Sequence, residues 1–145
     1  MTEDSRLETS AKTFGLLARF VHRAGQAAAA ELRRHGLTPA QFQLLLAVQR
    51  RPAATQRELV EHFDVTRANI SMLVAKLEVA GLVVREADGA ANRVLLTDAG
   101  AELVSRLAPA QDEFLLGCFA ALGDSELQRL RALMDEALSG LSDSG

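Results

Sequence analysis

Arg67 and Asn69 stand two residues apart, between the hydroxyl residues Thr66 and Ser71. A guanidinium fork can pair bidentately with guanine, and a carboxamide with adenine. Winding 66–81 into a helix turns Ile70, Leu73, Val74 and Leu77 to one side. Ala68, Met72 and Ala75 then face the other way, with Asn69 and Lys76 on one flank and Ser71 on the other. That outer face is small and polar, so it can enter a DNA major groove about 12 Å wide. Thr66, Arg67 and Asn69 fall in the first turn, where a recognition helix meets base edges. Arg57, Arg85 and Arg93 suit phosphate contacts, which position a protein without reading sequence. Each of these residues is equally compatible with an ordinary solvated surface, and Arg85 can pair with Glu86 or Asp88. Arg50 and Arg51 read as helix-end charges.

Other chemistry has little support. His22, His35 and His62 fall on three segments with no i, i+4 pair, so no metal site is expected. There is no Gly-rich phosphate loop, HExxH or GxSxG, so neither an enzyme nor a cofactor is expected. Cys118, the single cysteine, lies on an apolar stripe and reads as an inert core thiol. An intersubunit disulfide is the alternative.

These residues need elements to hold them. Residues 7–32 carry Leu7, Ala11, Phe14, Ala18, Val21, Gly25, Ala28 and Leu32 in alternating steps of four and three, a long helix with an apolar seam. Gly36 is its stop signal. Thr38-Pro39-Ala40-Gln41 is a capping box that starts a second helix, ended by Arg51-Pro52. Thr55-Gln56-Arg57-Glu58 is another box, and its short helix stops near Asp64. Thr66 caps the next helix and Gly81 ends it, giving a helix-turn-helix pattern. The period then becomes that of strands. Leu82–Arg85 and Arg93–Leu96 flank an Asp88-Gly89 turn signal, a hairpin wing. Thr97 caps a helix that Pro109 should kink or divide. After Gly123-Asp124 a last helix carries Leu127, Leu130, Met134, Ala137 and Leu141, a second seam.

The fold class expected is mainly α with a small β-hairpin wing: a winged helix-turn-helix with N- and C-terminal dimerisation helices. At 145 residues the chain reads as one domain. Residues 38–97 form its DNA-binding lobe, and 7–35 and 98–141 form the dimerisation helices. The net charge of −3 divides unevenly, at +2 for 1–49, +1 for 50–97 and −6 for 98–145. The acidity therefore lies outside the helix-turn-helix. No apolar run suits a membrane span and the first ten residues are polar, so a cytoplasmic protein is expected.

The stretches LTPAQFQLL, TQRELVEHFDVTRANISMLVAKLEVAGLVVR and LTDAG, in that order, resemble the MarR family of bacterial transcription regulators. The resemblance implies a homodimer with interlocked terminal helices, bound to double-stranded DNA at an inverted repeat, most often as a repressor. It also implies a small, frequently aromatic effector between the dimer helices and the DNA-binding lobe. Phe14, Phe20, His35, Phe42 and Phe114 are the lining residues to consider, and core packing accounts for each as well. The wing departs from the family pattern: Asn92 stands where an Asp is expected, and one arginine is missing. Asp64 occupies a turn position where the family often has Gly. The alternative reading is a winged-helix dimer that binds a protein instead of specific DNA.

Overall fold

The computed structural model describes residues 1–63 and 65–142. Two compact units divide the chain, Met1–Ala108 and Pro109–Gly145. The first holds α1 (Glu3–Arg33), α2 (Pro39–Arg50), β1 (Ala54–Thr55), α3 (Gln56–Phe63), α4 (Arg67–Val79), β2 (Val83–Asp88), β3 (Ala91–Leu96) and the start of α5 (Asp98–Cys118). The second holds the rest of α5 and α6 (Asp124–Ser142). Asp64, expected in the turn before α4, lies outside the described residues.

The sequence signals explain where these helices begin and end. Thr38 and Gln41 close a reciprocal capping box on α2. Thr66 accepts from the Asn69 N–H at 3.2 Å and caps α4. At Thr55 the box is only half formed. Its hydroxyl accepts from the Glu58 N–H, but the Glu58 carboxylate returns to that hydroxyl instead of to the backbone. The Thr55 backbone is already part of β1, opposite Arg93. Gly36 and Gly81 take φ of 70° and 77°. Each lets the next residue's N–H reach back five positions, Leu37 to Leu32 and Leu82 to Leu77, to satisfy a carbonyl at the end of the helix.

The sheet has one strand more than the expected hairpin, in the order β1-β3-β2, all antiparallel. β1 is two residues long, too short to show a period. β2 runs on to Asp88, opposite Ala91. Phe42, Leu44, Leu45 and Val48 of α2 form a core with Leu59, Ile70, Val74, Leu77, Val83, Val94 and Val104. Burying each such side chain contributes about 1.5–3 kcal/mol before the entropic cost of ordering the chain.

The Thr97–Gly100 turn fastens the base of the sheet to α5. The Thr97 hydroxyl donates to the Gly81 carbonyl at 2.6 Å and accepts from the Gly100 N–H at 3.0 Å. The Thr97 N–H bonds the Leu82 carbonyl. Gly100 is buried against the same carbonyl, with no room for a side chain.

α5 does not divide at Pro109; its helical backbone continues through it. Proline removes one hydrogen bond there, and the preceding turns are secured by buried Leu103, Val104 and Leu107. In contrast, α1 buries only Leu32 of its 31 residues. Leu7, Phe14, Leu16 and Val21 on α1 are each more than 60% exposed. In the second unit, Leu133, Leu138 and Leu141 of α6 are also exposed. Among the described residues no helix is long and apolar enough to cross a membrane.

Candidate nucleic-acid interface

The cap at Thr66 fixes the first turn of α4, and with it the direction of the side chains that follow. Ile70, Val74 and Leu77 are buried and Leu73 packs on the core. Arg67, Ala68, Asn69, Met72 and Lys76 are exposed, on the outer face that the helical period predicts. Ser71 is half-buried on the flank. Thr66 is exposed too, but its hydroxyl is already engaged as the cap. No carboxylate among the described residues pairs with Arg67 or Lys76.

Beside α4 lies a cleft of about 580 Å³. Thr55, Arg57 and Val60 line it from α3 and the residue before it, Arg67 and Ser71 from α4, and Asn92 from the wing. Arg57 and Arg67 make it cationic, and no described carboxylate lines it. The Arg57 side chain is 80% exposed and lies 3.8 Å from Glu61. An exposed i, i+4 pair of this kind is weak, so the guanidinium can exchange partners at little cost. Gln56 also lines the cleft, and its Oε1 is buried without a hydrogen-bond partner among the described residues. Sequence reasoning missed Thr55 and Gln56 here, because both read only as parts of a helix start.

The two strand arginines are placed differently. Arg85 is half-buried on β2; its Nη2 donates to the Ser71 carbonyl at 3.1 Å, and its Nε lies 3.7 Å from Glu78. The expected partners Glu86 and Asp88 do not engage it. Glu86, the next strand residue, points to the opposite face of the sheet. Asp88 is taken by Arg93, whose Nε donates to it at 2.7 Å while Nη1 donates to the Ala53 carbonyl at 2.8 Å.

None of the five residues considered for an effector pocket lines the cleft beside α4. Phe42 is 1% exposed and belongs to the core, in line with the core-packing alternative given for it. Phe14, Phe20 and His35 lie on the surface of the first unit. Phe114 is half-buried in the second, and so is the free Cys118. Among the described residues no group of three or more His, Cys, Asp or Glu side chains could hold a metal ion.

Comparison with known proteins agrees with this geometry. The sequence model of the MarR family matches residues 35–93. An uncharacterised HTH-type transcriptional regulator of Bacillus cereus is 33% identical over 114 residues, covering 79% of this chain and 78% of the relative. Among solved structures, the transcriptional regulator SlyA superposes with a TM-score of 0.83 at 17% identity, covering 91% of this chain and 95% of its own. The Staphylococcus aureus MepR–DNA complex gives 0.80 at 24% identity, covering 87% and 94%. The helix-turn-helix, the wing and these relatives together place the chain in the MarR family, whose members are transcription regulators and not enzymes.

Proposed function

We propose that this regulator binds double-stranded DNA in a sequence-specific manner, as a homodimer on an inverted repeat, and represses transcription there. The observation that carries the reading is the outer face of α4, where Arg67, Asn69 and Lys76 stand exposed around Met72, beside a cleft lined by Arg57 and Arg67. Arg67 and Asn69 read base edges, with Ala68, Met72 and Ser71 shaping the surface against the groove. Thr66 holds the first turn in place, and Lys76 and Arg57 meet phosphates. The apolar residues left uncovered on α1 support the dimer, since one chain gives that helix little to pack against. Two copies read half-sites about 34 Å apart, one turn of DNA. Release by a small effector belongs to the same reading. Such a ligand lowers DNA affinity only by the ratio of its affinities for the free and bound states.

The experiment is selection of bound fragments from sheared genomic DNA, followed by footprinting. A recurring inverted repeat with half-sites one turn apart is the expected result. Fragments without a shared sequence, bound equally well by Arg67→Ala, would instead favour the protein-binding module. One feature of the wing speaks for that second reading: its tip, Asp88-Gly89-Ala90-Ala91, carries no cation.

A further inference from the structure

We infer that Arg85 and Arg93 are positioning residues that make no phosphate contact of their own: Arg85 sets the wing against the recognition helix, and Arg93 sets it against the connection between α2 and β1. The inference rests on the DNA-binding reading above and changes what the wing does within it. Arg85 crosses from β2 to α4 and holds it at two places, the Ser71 carbonyl and the Glu78 carboxylate. Its side chain is only 26% exposed, and the Nε is buried, with no hydrogen-bond partner among the described residues and Glu78 at ion-pair distance. Arg93 makes the corresponding tie on the other side of the sheet. It joins the wing, through Asp88, to Ala53 in the connection between α2 and β1. Ala53 holds a left-handed φ of 62°, a conformation uncommon outside glycine, and its carbonyl accepts from Arg93. Arg93 thus hydrogen-bonds two acceptors, and Arg85 bonds one while facing a carboxylate, an arrangement suited to a planar fork and not to a point charge. Both arginines are ion-paired, to Glu78 and to Asp88, and the wing carries no other cation to offer a phosphate. The affinity of this lobe for phosphate then comes from Arg57 and Lys76, on the two helices of the helix-turn-helix.

The test is a salt titration of Arg85→Gln and Arg85→Lys against wild type, on the selected duplex and on a scrambled one, with thermal melting to confirm folding. Losing a phosphate contact lowers the slope of log K against log salt by about 0.9 per contact, so by about 1.8 for a dimer. It also weakens both duplexes equally. Losing a positioning contact leaves the slope unchanged and narrows the preference for the selected sequence, because base readout depends on how the helix is held. We expect Arg85→Gln to bind the selected duplex about tenfold more weakly, with an unaltered slope and a reduced preference. Arg85→Lys should follow Arg85→Gln, and it serves alone if the Gln variant does not fold. Arg93→Gln should behave in the same way. A slope lower by about 1.8 with the preference intact, or full restoration by lysine, overturns the inference. A lower melting temperature with slope and preference both unchanged also overturns it, since the residue then serves only stability. If wild type itself shows no salt-sensitive preference, the DNA-binding reading fails, a distinct result.

Discussion

Replacing Gly100 with alanine tests the joint between the sheet and α5. A Cβ there would lie 2.1 Å from the Leu82 carbonyl oxygen and 3.0 Å from its carbon, where ordinary contact begins at 3.4 Å. The obstacle is backbone, so no side-chain rotation relieves it, and α5 or the Gly81–Leu82 turn must move by about 1 Å. Such a shift is large for the 2.6 Å bond from Thr97 to Gly81 and for the Thr97 N–H bond to Leu82. Overpacking costs about 1–3 kcal/mol. Loss of one or two hydrogen bonds adds about 1 kcal/mol each. The better helix propensity of alanine returns about 1 kcal/mol. The net destabilisation is about 3 kcal/mol, or a fall in Tm of about 10 °C for a chain of this size. Thermal melting by circular dichroism at one fixed protein concentration measures it. Gly117→Ala is the control: it lies in the same helix with nothing within 4 Å of the added carbon, and should be neutral or slightly stabilising. Melting of Gly100→Ala within about 2 °C of wild type would refute the close approach that the reasoning requires.

Other perturbations probe separate links. Arg67→Ala should cost about 1–3 kcal/mol at one base position of each half-site, seen by titrating duplexes substituted position by position; an equal loss on every sequence would make Arg67 a phosphate contact. Phe14→Glu combined with Val21→Glu should shift the protein to monomers in sedimentation at micromolar concentration, because both side chains stand uncovered on α1. Thr38→Ala removes the hydroxyl that accepts from the Gln41 N–H but keeps the backbone N–H that donates to Gln41 Oε1, and should cost about 1 kcal/mol in denaturant unfolding. Ala53→Gly relieves a left-handed alanine, worth about 1 kcal/mol, against a similar entropic cost. Its stability should stay within about 0.5 kcal/mol of wild type, where an ordinary exposed alanine replaced by glycine in a helix would lose about 1 kcal/mol.

The helices were legible because their ends carry local chemistry. Thr38, Thr66 and Thr97 are caps whose partners lie three residues on, and Gly36 and Gly81 close their helices through neighbours. The outer face of α4 followed from the period alone, since Ile70, Val74 and Leu77 have to be buried together. What escaped depends on distant contacts. β1 exists because β3 runs beside it, and two residues have no period to betray them. Arg93 finds its acceptor 40 residues earlier, at Ala53. Arg85 finds Ser71 and Glu78 across the Gly81 turn, so the nearer Glu86 and Asp88 misled the sequence reading. Pro109 signalled a kink or a division, and the helix is not divided there, its preceding turns being secured by core residues.

The central claim is that the exposed face of α4 reads DNA while the cations beside it hold the phosphates. Its most direct test is binding of wild type and Arg67→Ala to the selected inverted repeat and to a scrambled duplex, at about 50 and about 200 mM salt. Wild type should prefer the repeat at both concentrations and lose at least tenfold in affinity as salt rises, and Arg67→Ala should lose most of the preference. Equal affinity for the two duplexes, little change with salt, or an unaltered preference in Arg67→Ala would contradict it.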